Sequence, residues 1–417
     1  MKGILHYLWQ NNLLQELGTQ STDGGKLQII TPGHSNSDGT IFKESRVRIG
    51  ERTWCGSVVL GSETKSDENT ILRVTLGTPN LQCHNSKAFH LNIECPKDFI
   101  QEFNAAEQHT DAFPCAGAIA TLPRIQLHNL LSRLLAERIE EKSKIVERIF
   151  TQCEQRWDDT LLKVTIRSFG FGIQSTVFDE WAGIVNTQAL GKHRDNPTQT
   201  EAILFGQAGL LDEESIPHYY RDEAAKSSYY NELKREYRFL SNKFGLSSID
   251  HKKWGNGNAT PHLRIARIAS LYNQGRLTMS GITAAHTLTD IYRLFIHPLN
   301  GYWQNHTCFG GTETTGNGCM RQKQVDVIII NSVIPMLHIY GKHRKEERFC
   351  SMAEELLHGI DPEENSITKR WRGQGLKTEC AADSQALLQL ERSYCRGRNC
   401  TICPFAYHYI KERIAKR

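Results

Sequence analysis

"LHNLLSRLLAERIEEKSKIVERIF" occupies residues 127–150, and its period decides the fold. Leu127, Leu130, Leu131, Leu134 and Leu135 recur at three- and four-residue intervals. Ile145 and Ile149 continue the stripe, and Glu and Lys fill the other side. That pattern is a long amphipathic helix. The chain before it has a different rhythm. "KLQIITPG" (26–33), "RVRIGERTWCGSVVLG" (46–61), "NTILRVTLG" (69–77) and "AFHLNIECP" (88–96) are short alternating or apolar runs bounded by Gly, Pro, Asn or Asp. They read as strands, antiparallel in part, with a hairpin at Ile49–Arg52.

After residue 150 helical periods dominate, over 157–168, 197–208, 221–244, 260–274, 286–297, 324–340, 345–358, 363–372, 380–394 and 404–415. Asn196-Pro197 and Asp361-Pro362 are start signals, each a capping side chain followed by Pro at the first helical position. "CFGGTETTGNGC" (308–319) is the clearest loop. The expected class is α+β, with a β-rich domain over 1–117 followed by a larger, mostly α-helical domain over 118–417.

A chain of 417 residues is too long for one small core, which agrees with two domains. The formal charge of +4 is too small to make the whole chain a polyanion binder. Its distribution is uneven: residues 369–417 carry 11 Lys and Arg against 4 Asp and Glu. That basic segment, with Trp371, Tyr394, Tyr407 and Tyr409, is a candidate contact for nucleic acid, and a solvated helical face explains it equally well. The opening "MKGILHYLWQNNLLQEL" lacks a long apolar run and a cleavage site, so it does not read as a signal peptide. The most apolar stretch, "VDVIIINSVIPMLHIYG" (325–341), holds an Asp, an Asn and a Pro and fits a buried helix. No membrane association is expected, and the 12 cysteines are expected to be reduced in a cytoplasmic protein.

Two constellations carry candidate chemistry. Lys192-His193-Arg194-Asp195-Asn196 stands just before a helix N-terminus, where backbone N–H groups and the dipole favour an anion. Glu201 and Gln207 follow on that helix, and Gly206 and Gly209 allow another backbone to come close. The set is a candidate ligand site, or a polar brace at a helix junction. His-Arg-Asp also occurs in protein-kinase catalytic loops, but the companion motifs are missing. In the second, Cys395, Cys400 and Cys403 fall within nine residues, in the spacing of a metal knuckle. Zinc and an iron–sulfur cluster are both compatible, with Cys380, Cys350 and His408 as candidates for a fourth ligand.

Taken together, "LHYLWQNNLL", "GKHRDNPTQTEAILFGQAGLL", "LKREYRFLSNKFGL", "INSVIPMLHIYGKH", "DSQALLQL" and "YCRGRNCTIC" resemble an uncharacterised bacterial family common among Bacteroidetes, domain of unknown function 2851. The resemblance implies strand-borne Asp, Glu and His like the Mg²⁺-binding core of restriction-endonuclease-like nucleases. This chain departs there. Ile41 stands where the second Asp would be, and Val59 and Gly61 replace the Glu and His. Asp38 remains as a possible catalytic carboxylate, with Glu63, Asp67 and Glu68 nearby. Hydrocarbon cannot ligate Mg²⁺, so the expectation is a catalytically depleted, nuclease-like protein that binds nucleic acid or another phosphate-bearing ligand. A protein-interaction scaffold clamped by a structural metal and an active metal-dependent phosphodiesterase are the alternatives.

Overall fold

The computed structural model describes residues 2–14, 26–36, 40–61, 68–77, 88–93, 122–172, 174–255, 261–299, 301–397 and 403–406, with 100, 115, 119 and 408 besides. The chain divides into two compact units. The first comprises Met1–Leu135, Glu363–Thr378 and Asp383–Arg417, and the second Ala136–Pro362 and Glu379–Ala382. Residue 117, the expected boundary, falls inside the first unit, which also takes in the cysteine-bearing C-terminal segment.

The first unit holds a mixed sheet of β1 (Leu27–Thr31), β2 (His34–Ser35), β3 (Ile41–Ile49), β4 (Arg52–Leu60), β5 (Thr70–Leu76) and β6 (Phe89–Ile93). The order is β1-β3-β4-β5-β6, with β2 pairing β3. β1, β3 and β4 are antiparallel, and β3 turns into β4 through the anticipated hairpin, Ile49 opposite Arg52. β4, β5 and β6 run parallel. One sheet face buries Phe42, Val58, Leu60, Leu72, Val74, Leu91 and Ile93 in a cluster with Ile4, Leu5, Leu8 and Trp9 of α1 (Lys2–Gln10). Each fully buried side chain of this kind stabilises by about 1.5–3 kcal/mol. The Trp9 indole N–H also reaches the Pro32 carbonyl at 3.0 Å, which fixes the helix over the β1–β2 turn.

The leucine stripe forms α2 (Arg124–Gln152), as its period requires. In the second unit α3 (Trp157–Phe169) and α4 (Ser175–Ile184) pack together, followed by α5 (Thr187–Lys192) and α6 (Pro197–Gln207). The expected helix over 221–244 is two: α7 (Arg221–Lys226) and α8 (Ser228–Phe244), broken where the Ser227 hydroxyl caps the second. α9 (His262–Asn273), α10 (Met279–Thr283) and α11 (Leu288–Phe295) come next. α12 spans Gln322–Arg344 with a π turn at Ile329–Val333. Pro335 explains that turn, since it has no N–H for the helical bond. Lys142 donates to the Ile330 carbonyl there, and Thr165 and Ser332 hydroxyls meet at 2.8 Å. Among the described residues α12 is the helix long and apolar enough to cross a membrane, yet 67% of its apolar window is buried inside the protein. It is a core helix. α13 (Glu347–Gly359), α14 (Ser366–Gly373) and α15 (Ala381–Gln389) complete the chain order.

Candidate functional site

The charged run between α5 and α6 is tied into neighbouring helices. Asn196 caps α6 by accepting the Gln199 amide at 3.1 Å, with Pro197 at the first helical position. His193 Nδ1 lies 2.6 Å from Gln199 Oε1, and Gln199 Nε2 donates to Glu236 on α8. The Arg194 guanidinium sits 5.1 Å from the centre of the Tyr272 ring, and the Lys192 ammonium 5.3 Å from that of Phe244. Asp195 is exposed on the turn. Gln207, 1% exposed, accepts the Asn186 amide at 3.0 Å and donates to the carbonyls of Ile184 and Ser247, so all its polar atoms serve the backbone. Gly209 (φ +71°) lets the Ile249 carbonyl approach to where a Cβ would be 2.3 Å away. The brace geometry leaves Glu201 to a different neighbourhood.

Glu201 accepts the Tyr229 hydroxyl at 2.6 Å, and that hydroxyl accepts the Trp303 indole N–H at 2.7 Å. Burial pushes the Glu201 carboxyl up to about 7, with the Tyr229 hydrogen bond pulling the other way. Burial raises Tyr229 far above its usual range, and the Glu201 charge adds to that. Trp303 stacks on Phe205 at 5.0 Å, and Tyr302 on Tyr229 at 4.8 Å. His262, the first residue of α9, lies in this aromatic floor, 5.3 Å edge-on to Phe309. It is 3% exposed, and among the described residues neither ring nitrogen has a hydrogen-bond partner. Burial lowers its pKa to about 4, so the imidazole is neutral.

His262 also lines a cleft of about 1250 Å³ whose lining residues all belong to the second unit. Its walls are the short turns at Glu213–Ser215, His218–Tyr220 and His251–Trp254, the first turns of α9, and Thr307 and Cys308. Gly310 (φ +68°) sets the second wall, because its missing Cβ would lie 2.2 Å from the Tyr220 carbonyl. Pro261, His262, Leu263, Arg264 and Arg267 of the α9 end all line the space. Pro261 offers no side-chain cap, and the first helical bond runs from the Ile265 amide to the Pro261 carbonyl at 3.0 Å. The amides before it form an anion-favouring terminus.

The charges are unevenly spread. Arg267 is half-buried, its Nε and one Nη held by the carbonyls of Gly318 and Cys319 at 3.0 and 3.3 Å. Burial and the nearby Arg264 lower its pKa, with Cys319 acting oppositely, and among the described residues no carboxylate offsets it. Arg264, three residues earlier, donates to the Phe169 carbonyl and is likewise lowered by burial. Arg221 and Lys252 also line the cleft. His251, next to Lys252 in the chain, also lines the cleft and stands within 4.0 Å of Asp212, Glu214 and Asp250.

The other expected sites fall elsewhere. Ile41 and Val59 are register partners, and Val59 pairs in turn with Arg73. Arg73 is 6% exposed and donates to the Gly61 carbonyl at 2.8 Å. Two hydrocarbons and a cation do not fit a Mg²⁺ site. Glu68 is exposed on a turn, and Asp38, Glu63 and Asp67 lie outside the described residues, as does Cys400. Cys380 Sγ is 3.5 Å from His358 Nδ1. Among the described residues no three His, Cys, Asp or Glu side chains converge as a metal site. In the basic segment Trp371 is fully buried, near-parallel to Phe405, and Tyr394 is 9% exposed. Arg370 and Arg372 pair with Glu391 and Glu364. Of the aromatic residues expected to stack on bases, those two belong to the core, and Tyr407 and Tyr409 lie outside the described residues.

Sequence reasoning passed over His262, Arg264 and Arg267. The signal was two arginines three apart in the otherwise apolar "HLRIARIASLY" (262–272), a spacing that puts both on one helix face. No curated protein and no solved structure matches the chain. The family model described as "Protein of unknown function (DUF2851)" matches residues 3–366. The protein therefore belongs to the DUF2851 family.

Proposed function

We propose that the second unit binds a phosphate-bearing ligand in the cleft at the start of α9. The observation that carries this reading is Arg267, a half-buried guanidinium that no described carboxylate offsets. Desolvated charges are ordinarily paired, because leaving one unpaired is costly. An anion in the cleft would supply the missing counter-charge, and the amino-terminal turn of α9, which Pro261 does not cap, favours negative charge through the helix dipole. Arg264, Arg221 and Lys252 raise the local positive potential.

Metal-dependent phosphodiester cleavage by the sheet is disfavoured by its side chains. Val59 is fully buried between Ile41 and Arg73 in the sheet register, where a divalent cation would need oxygen donors.

Calorimetric titration with pyrophosphate at low and physiological ionic strength tests the binding. Saturable, salt-sensitive binding is expected, with Lys252→Ala, an exposed change, weakening it severalfold and Arg267→Met at least about tenfold, roughly 1.4 kcal/mol. Binding unaffected by both substitutions, or none at low salt, would count against the reading.

A further inference from the structure

A cleft of about 1250 Å³ is far larger than a phosphate group, so the rest of the ligand must be defined by the remaining walls. Two features define it. Tyr219 lines the cleft yet is 75% exposed, edge-on to Tyr220 with ring centres 4.4 Å apart. A large exposed ring at a cleft wall, braced by a second ring, is a platform for another planar ring. His262 also lines the cleft, and among the described residues neither of its nitrogens has a hydrogen-bond partner. A neutral imidazole has one donor and one acceptor, which suits a hydroxyl group better than a second anion. The carboxylates gathered around His251, those of Asp212, Glu214 and Asp250, add negative charge at and beside the cleft wall. A strand with a phosphate at every step is repelled by those carboxylates more than a ligand with a single anionic group.

We infer that the cleft takes a nucleoside phosphate, its phosphate at the amino-terminal turn of α9 beside Arg264 and Arg267, its sugar hydroxyls toward His262 and its base against Tyr219. The inference rests on the anion-binding reading of the same cleft and adds the base and the sugar to it.

The test is a calorimetric comparison of the four nucleoside monophosphates, ribose 5-phosphate, pyrophosphate and a short oligothymidylate, on wild type and Tyr219→Ala. At least one nucleoside monophosphate should bind about tenfold or more tighter than ribose 5-phosphate. Tyr219→Ala should remove that advantage while leaving pyrophosphate affinity and the melting temperature unchanged, because the side chain is exposed. Equal affinity for nucleotide and ribose 5-phosphate would overturn the nucleoside assignment and leave the anion site standing. So would a nucleotide preference that survives Tyr219→Ala. Tighter binding of the oligothymidylate than of any mononucleotide would overturn it in favour of a nucleic-acid strand. Failure of every phosphate compound to bind would sink both readings.

Discussion

Ile41 on β3 stands opposite Val59 on β4, and Val59 is in turn the register partner of Arg73 on β5. Hydrocarbons stand at two of the positions, 41 and 59, where the family resemblance implied metal-binding carboxylates, and a buried guanidinium lies beside them. The expected outcome is that purified protein with Mg²⁺ or Mn²⁺ leaves plasmid DNA intact. Chelator-sensitive nicking that survives further purification, and is lost on substitution of Asp38, would show that other carboxylates compensate.

His262→Phe should separate folding from binding. The ring keeps its contacts with Phe205, Trp303 and Phe309, while two unsatisfied buried nitrogens disappear. Each unsatisfied buried polar atom costs about 1–3 kcal/mol, so the ligand-free variant should melt at the same temperature or several degrees higher. Its affinity for the cleft ligand should fall. A variant that melts lower and binds normally would make His262 a structural residue.

Two titratable groups shifted by desolvation act on stability in opposite senses. Glu201 ionises near 7 when folded and near 4.5 when unfolded. Its contribution is full below 4.5 and is lost as pH rises through 7, because the unfolded chain sheds the proton first. His262 moves from about 6.5 unfolded to about 4 folded, so its contribution is present above 6.5 and lost as pH falls through 4. Each pKa unit corresponds to about 1.4 kcal/mol at most. Glu201→Gln should therefore flatten the decline in melting temperature between pH 4.5 and 7, and His262→Phe the decline on the acid side. A Glu201→Gln profile parallel to wild type would contradict the burial of that carboxyl.

At the helix junction the expected effect is purely on stability. Gln207→Leu leaves the Asn186 amide and the carbonyls of Ile184 and Ser247 without their partner, and should cost about 2–4 kcal/mol. Gly209→Ala places a methyl against the Ile249 carbonyl at a positive φ and should cost at least about 1 kcal/mol. Thermal melting checks both. Ligand binding lost at unchanged melting temperature would instead give the junction a direct role in the site.

The strands and the long helix were legible because their periods are set locally: the leucine stripe of α2 and the Ile49–Arg52 hairpin fall where expected. The helices α4 and α5 were missed because tertiary burial of Val177, Phe178 and Trp181, rather than a strong repeat, holds the first. α5 has only six residues and is capped by Asn186. The break at Ser227 depends on one capping hydroxyl inside a continuous helical pattern. The site was less legible. Lys192–Asn196 stood out as a dense charge cluster, but its partners Gln199, Glu236, Phe244 and Tyr272 come from three helices that only the fold assembles. The cleft was hidden for the same reason: His262, Arg267 and Tyr219 are remote in sequence from Cys308 and Gly318, which line it or anchor it.

The most direct test is anomalous diffraction from crystals of the wild-type protein soaked in tungstate, a tetrahedral stand-in for phosphate. An anion seated between Arg264, Arg267 and the first amides of α9, and absent from Arg267→Met crystals, is the predicted result. Tungstate bound only at other surfaces, with that end of the cleft empty, would contradict it.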